Sequence, residues 1–164
     1  MAEIRIKKRR RLRSKDIRAL AAEIKEKTGR DSFTVEDLVD GGSSSEFDVV
    51  FVDGEIRALV IDGKAFLTIR GILKYGADRG FITVDMGAVS YVANGADIMA
   101  PGVVGADPDV EENDLVWIRD ERNQRPLAIG MAIMSGPAMV EATSGKAVKT
   151  IHYVGDRLWK YDES

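Results

Sequence analysis

Few residues in this 164-residue chain are equipped for acid–base or metal chemistry. There is one histidine, His152, and no cysteine. A single histidine cannot make a paired metal site, and without cysteine there is neither a thiolate ligand nor a Cys–His dyad. His152 therefore reads as a histidine built into a terminal strand. The chain contains no G-x-x-x-x-G-K-[ST] phosphate loop and no G-x-S-x-G nucleophile turn. Glu111 and Glu112 adjoin in an acidic stretch where solvation accounts for them. Asp85 could serve as a base, but two residues before Gly87 it is more simply a helix cap. No catalytic residue, metal or cofactor is expected. A small carboxylate-dependent enzyme would need one of these carboxyls held in a cleft with a raised pKa.

Cationic chemistry is better supplied. Lys7, Lys8, Arg9, Arg10, Arg11 and Arg13 crowd the N-terminus. Residues 1–30 carry a local charge of +8 and residues 31–164 carry −11, giving the net −3. Such an asymmetry draws a polyanion to one end of the molecule. The run admits two readings, a set of phosphate contacts or a solvated, frayed tail.

The other informative stretch is residues 83–103, T-V-D-M-G-A-V-S-Y-V-A-N-G-A-D-I-M-A-P-G-V. Residues 83–84 suit a short strand, and 85–87 a turn. Residues 88–94 allow about two helical turns, with Val89 and Val92 on one face. Gly95 provides a helix stop, since glycine reaches the left-handed region without a Cβ penalty. Residues 97–100 return as a strand that Pro101-Gly102 ends. A glycine turn opening a helix leaves backbone N–H groups outward, where a phosphate could meet them. The same spacing also fits a tight corner with no ligand.

The elements that must hold these residues can be read in order. Ile4 and Ile6 alternate with charges, as at the start of a half-buried strand. Ser14 can cap a helix over residues 15–27, in which Ile17, Leu20, Ala21 and Ile24 form one apolar stripe, and Thr28-Gly29 closes it. Thr34 and Asp37 resemble a capping box for a short helix reaching Val39, followed by a flexible loop at 41–45. Asp53-Gly54 and Asp62-Gly63 separate three apolar runs, 47–52, 55–61 and 64–67, and Asp-Gly between such runs signals tight hairpins. Thr68 caps a helix to Tyr75 with Ile69, Ile72 and Leu73 inward, and Gly76 stops it. Residues 77–80 mark a boundary. Beyond the 83–103 stretch, 106–113 is a turn-rich acidic loop, 115–118 and 127–133 are strands, and Ser135 caps a helix over 137–142. Residues 146–153 and 158–159 are strands joined at Gly155-Asp156. Many short strands with few helices imply a partly closed β-barrel after residue 80.

The 45% hydrophobic content can fill a core, and 164 residues make one domain or two small ones. No apolar run approaches the roughly 18 residues of a spanning helix, and the basic N-terminus lacks the apolar segment of a secretory signal. Without cysteines a reducing compartment suits the chain. The expectation is a soluble, cytoplasmic protein.

Three patterns carry a family resemblance: D-x-G-A at Asp85, Gly87 and Ala88; G-A-x-I-M at Gly95, Ala96, Ile98 and Met99; and P-G-V at 101–103. With the later run Ile151-His152-Tyr153, Gly155-Asp156 and Leu158-Trp159, they resemble the PUA domain, the RNA-binding module named after pseudouridine synthases and archaeosine transglycosylases. Together these resemble the malignant T-cell-amplified sequence family of translation factors and its archaeal relatives, a resemblance that covers most of the chain and is strong in its second half. The resemblance implies an α+β protein: a small N-terminal α/β unit with an antiparallel meander over residues 1–79, then a PUA-type mixed β-barrel over residues 80–164. It implies a non-enzymatic, RNA-binding, translation-associated protein that contacts tRNA or rRNA and the small ribosomal subunit or a protein partner, with no membrane role. An accessory subunit of an RNA-modification enzyme is the alternative. Carried over by position, the RNA face is Gly87, Ala88, Tyr91, Val92, Gly95, Ala96 and Met99, with Lys146 and Lys149 from a late strand. Core packing is the other reading of Tyr91 and Trp159. Residues 82–160 are net −4, so this face suits a small shaped feature of an RNA, and general phosphate affinity falls to Lys7, Lys8, Arg9, Arg10, Arg11 and Arg13.

Overall fold

Asp53 and Gly54 take φ of 52° and 88°, and Asp62 and Gly63 take 52° and 74°. Positive φ at both turn residues gives a twist that matches the flanking strands, so each Asp-Gly pair closes a tight hairpin. The computed structural model, which describes residues 3–162, thus has an antiparallel meander of β3 (Asp48–Val52), β4 (Glu55–Ile61) and β5 (Lys64–Leu67). Two further strands, β1 (Lys7–Arg11) and β2 (Val39–Ser43), extend it to a five-stranded sheet in the order β1-β2-β3-β4-β5.

A turn at 35–37 stands where the short helix reaching Val39 is expected, and β2 takes Val39 and residues 41–43 of the loop expected at 41–45. The capping hydrogen bonds do form: Asp37 accepts from Thr34 N–H at 2.8 Å, and Thr34 Oγ1 accepts from Glu36 N–H at 3.2 Å. They close a turn only, because β1 and β3 claim the backbone of residues 39–43 from both sides. Gly42 is needed within this strand: a Cβ there would lie 2.6 Å from the Ile6 side chain. The basic run is no loose arm. Residues 7–11 form the edge strand itself, while Ile4 is buried ahead of it rather than starting it.

Helix α1 (Ser14–Thr28) buries Ile17 and Ile24 against this sheet and ends at Gly29 in the left-handed conformation. Ser14 is the first helical residue and caps nothing; Arg13 holds the N-cap position without a side-chain bond. In α2 (Ile69–Tyr75) the Thr68 hydroxyl accepts from Gly71 N–H at 3.1 Å, as its position predicts. Ile69 and Ile72 take the buried face, and Leu73, one residue further round, is 60% exposed instead of inward.

The second sheet holds β6 (Phe81–Val84), β7 (Ile98–Met99), β8 (Val103–Ala106), β9 (Leu115–Asp120), β10 (Pro126–Ala132) and β11 (Lys146–Tyr153), in the order β7-β11-β10-β9-β6-β8. β6 runs parallel to β9 and the other pairs are antiparallel, giving the mixed, nearly closed barrel that the strand pattern predicts. β8 is not foreseen, since V-V-G-A carries no alternation. α3 (Met86–Val92) and α4 (Gly136–Glu141) complete the barrel, with Ser135 Oγ accepting from Ala138 N–H at 3.2 Å. Ile82, Val84, Val116, Ile118, Ala128 and Val148 fill its interior, whereas Leu115, Trp117 and Ile129 point outward and join the core of the first sheet.

Residues 157–161, which include the expected strand at 158–159, form a short helix, α5 (Arg157–Tyr161). Asp156 is the reason: its carboxylate accepts from Trp159 N–H at 2.8 Å and so caps a helix rather than turning a hairpin. α5 lies between the two sheets. The Tyr161 ring meets Phe51 edge-on at 6.1 Å, Arg70 stacks on Trp159 at 3.7 Å, and Asp162 accepts from Ile56 N–H at 3.3 Å. Among the described residues no helix is long and apolar enough to cross a membrane.

Candidate nucleic-acid interface

The 83–103 stretch builds a groove at one edge of the barrel. Asp85 closes β6 and caps α3, with Oδ1 accepting from Ala88 N–H at 2.9 Å. The expected glycine corner is therefore an aspartate cap. Gly87 lies inside the first helical turn and is absent from the positive-φ positions. The cap has an electrostatic consequence: a carboxylate already occupies the helix start, so a phosphate is opposed there rather than attracted. Gly95 behaves as predicted, with φ of 84°. Ala96 N–H then returns to Tyr91 O at 3.0 Å, reversing the chain beneath the helix.

The returning segment becomes β7, which pairs with β11 through Met99 opposite Lys146 and Ile98 opposite Val148. Between α3 and this segment lies a groove of about 420 Å³. Gly87, Ala88, Tyr91, Val92, Ala96 and Met99 line it. Val92 is its floor at 1% exposure, whereas Tyr91 at 68% and Met99 at 49% form its open lip. Tyr91 is thus a surface residue, not a core one. Gly95 stands behind the groove, its Cα against the Tyr153 ring, and does not line it.

The two lysines differ. Lys146 pairs with Asp97 at 2.8 Å, while Lys149 is exposed and acts on Asp97 only through its charge. Burial pushes the Asp97 carboxyl up, but Lys146 and the Thr150 N–H, 2.8 Å away, outweigh it and hold the pKa below the usual 3.8. Asp97 lines the groove yet escapes the sequence reading, because its partners lie some fifty residues away on β11. Trp159 packs beneath Arg70 and against the core of the first sheet, and does not line the groove.

The basic strand belongs to a different surface. β1 is the outer strand of the first sheet, and the groove borders the outer strand of the second. Two of the six cations are committed: Arg9 and Arg11 donate to the two oxygens of Asp40 at 3.0 and 2.6 Å, and Arg9 also covers the Phe51 ring at 3.9 Å. The Arg11 hydrogen bond is the main reason the Asp40 carboxyl sits below its usual range. Lys7, Lys8, Arg10 and Arg13 are exposed and, among the described residues, make no ion pair.

His152 is 1% exposed, with Nδ1 2.9 Å from the Asp156 carboxylate. Asp156 also accepts from Tyr153 N–H at 3.0 Å. Burial would raise its pKa, but the His152 hydrogen bond and the backbone donors lower it on balance. The pair joins β11 to α5, a structural role, as expected for this histidine.

A PUA domain model matches residues 80–154. The chain is 42% identical to an uncharacterised protein of Methanocaldococcus jannaschii over 118 residues, spanning 72% of this chain and 73% of that protein. It is 26% identical to translation machinery-associated protein 20 of Saccharomyces cerevisiae, spanning 91% of this chain and 92% of that one. Malignant T-cell-amplified sequence 1-B of Xenopus laevis is 32% identical, over 68% of this chain and 64% of its own length. Among solved structures, a hypothetical protein of Pyrococcus horikoshii superposes with a TM-score of 0.80 at 30% identity, covering 93% of this chain and 98% of that one. With the barrel, the Asp85-capped helix and the Gly95 stop in place, residues 80–154 form a PUA domain, and the chain belongs to the same PUA-containing family as the Methanocaldococcus jannaschii protein.

Proposed function

We propose that this protein is a non-enzymatic RNA-binding protein of the cytoplasmic translation machinery, contacting tRNA and the small ribosomal subunit. The observation that carries the reading is Tyr91, an aromatic ring 68% exposed over an apolar groove in the matched PUA region. An exposed ring beside Met99 and Ala88 offers a stacking platform for an unpaired base, and Lys149 offers a cation for the adjoining phosphate. Of the groove's own charges, Lys146 is cancelled by Asp97 and Asp85 stays negative at the helix start, so the groove selects a shape more than it attracts a polyanion. Long-range attraction then falls to Lys7, Lys8, Arg10 and Arg13, with Arg9 and Arg11 fixing the strand that presents them. In this reading residues 1–79 supply electrostatics and residues 80–164 supply recognition. The name of one relative, translation machinery-associated protein 20, supports the translation setting.

The test is crosslinking of the protein to RNA in cells with sequencing of the bound fragments, alongside ribosome co-sedimentation. Tyr91→Ala should lower RNA affinity by about 1–3 kcal/mol, the usual worth of one stacked base. Crosslinks that do not depend on Tyr91, with no ribosome association, would refute the reading. Co-purification with an RNA-modifying enzyme in place of ribosomes would establish the accessory-subunit alternative.

A further inference from the structure

We infer that the β9–β10 turn, residues 120–125, is a second RNA contact, in which Arg122 and Arg125 grip backbone phosphates of the strand whose base occupies the groove. The inference rests on the groove being an RNA site. It begins with the placement of the turn. β9 runs parallel to β6 with Asp120 opposite Val84, and Glu121 N–H donates to Val84 O at 3.0 Å. The residue after Val84 is Asp85, which caps α3 and lines the groove. The turn is therefore hydrogen-bonded to the residue that leads into the groove's lip.

The backbone of the turn is locked from inside. Asp120 is 4% exposed, and its carboxylate faces inward to accept from Asn123 N–H at 2.6 Å, Arg122 N–H at 2.9 Å and Arg125 N–H at 3.2 Å. A further bond runs from Gln124 N–H to Asp120 O at 3.1 Å, with Gln124 at φ 56°. The Asn123 N–H is the main cause of a depressed Asp120 pKa, so the carboxylate stays charged and the turn stays closed over the neutral range. Arg122 and Arg125 project from this frame into solvent, and neither makes an ion pair among the described residues.

The local charge balance points to their ligand. Of the carboxylates beside the turn, Asp120 and Asp85 are engaged by backbone N–H groups and so held away from the arginines, while Glu121 is exposed. Lys146, across the groove, is already paired with Asp97. Within a region of net −4, the turn thus presents two exposed guanidinium groups that make no ion pair among the described residues, on a preset backbone. A guanidinium fork matches two phosphate oxygens, and a locked backbone removes part of the ordering cost of binding. A strand based in the groove and leaving past Asp85 would meet them with its phosphodiesters.

The experiment uses the full chain and two probes: a single-stranded RNA of roughly 12 nucleotides, which can reach beyond one groove, and adenosine, which carries no phosphate. Affinity for each is measured over a range of salt concentrations for wild type, Arg122→Gln/Arg125→Gln, Asp120→Ala and Tyr91→Ala, with thermal unfolding to confirm the fold. The double variant should flatten the log affinity against log salt slope for the oligonucleotide by about 1.4, two phosphates at roughly 0.7 each, and leave adenosine binding unchanged. Asp120→Ala should weaken oligonucleotide binding while keeping the slope, since both arginines remain but the turn is loosened. An unchanged slope in the double variant overturns the inference. If Tyr91→Ala weakens binding while the double variant does not alter the slope, the groove reading survives and the turn is refuted. If the double variant flattens the slope and Tyr91→Ala has no effect, the turn is upheld as an RNA contact and the groove reading fails. A wild type that binds neither probe overturns both.

Discussion

Gly95→Ala tests whether the frame of the groove has the physical origin assigned to it. Two costs combine. The residue sits at φ 84°, where a side chain costs about 1–2 kcal/mol. An added Cβ would also lie 2.6 Å from Tyr153 Cε1 and 2.9 Å from Cζ. Carbon atoms prefer about 3.5–4.0 Å, so the ring must move by about 1 Å. It is poorly free to do so: Tyr153 N–H is held by Asp156, and β11 is paired to β10 through Tyr153 and Ala128. Overpacking of this kind costs about 1–3 kcal/mol. The total is about 2–5 kcal/mol, and at about 2–4 °C per kcal/mol for a chain this size Tm should fall by at least about 4–8 °C. The assay is thermal and urea unfolding of Gly95→Ala in the wild-type background and in a Tyr153→Leu background. In the second background the clash is relieved and only the backbone cost of about 1–2 kcal/mol should remain. A Gly95→Ala effect within about 0.5 kcal/mol, the range of an ordinary surface change, refutes the argument. Equal penalties in the two backgrounds refute the clash with Tyr153.

Replacing Lys7, Lys8, Arg10 and Arg13 with Ser should flatten the salt dependence of RNA binding by about 2.8, four phosphates at roughly 0.7 each. Extending the replacement to Arg9 and Arg11 should change the slope little further but lower stability, because Asp40 then loses both partners; binding titrations and unfolding curves measure the two effects. Asp156→Ala removes the α5 cap and strands the His152 Nδ1 and Tyr153 N–H donors, and should cost about 3 kcal/mol in urea unfolding. Because the folded Asp156 pKa lies below its unfolded value, this carboxyl contributes its full stability above about pH 4 and loses it as pH falls through the folded pKa. Asp156→Asn should accordingly show a weaker loss of stability on acidification than wild type, measured as urea midpoints from neutral to acid pH.

Much of this fold was legible locally. The Asp-Gly hairpins, the Thr68, Asp85 and Ser135 caps, the Gly29 and Gly95 stops and the long strand at 146–153 were all readable because each is a contract between residues a few positions apart. The sequence also marked which residues gather at the groove, since Gly87, Ala88, Tyr91, Val92, Ala96 and Met99 lie within thirteen positions of one another and a single helix and its return suffice to assemble them. What it could not decide were features set by partners far along the chain. Residues 39–43 read as a cap and a loop and became a strand because β1 and β3 satisfy their backbone from either side. The run Lys7–Arg13 read as phosphate contacts or a solvated tail, and its residues 7–11 became an edge strand because Asp40, some thirty residues later, neutralises Arg9 and Arg11. Tyr91 could have packed inside, and only the seating of α3 on Val92 turned it to solvent. Leu158 and Trp159 read as a strand because both suit one; the Asp156 carboxylate, shared by His152, Tyr153 and Trp159, made them a helix. Local periodicity states what a segment can form, and the pairing of distant backbone and charge determines which of those forms is the stable one.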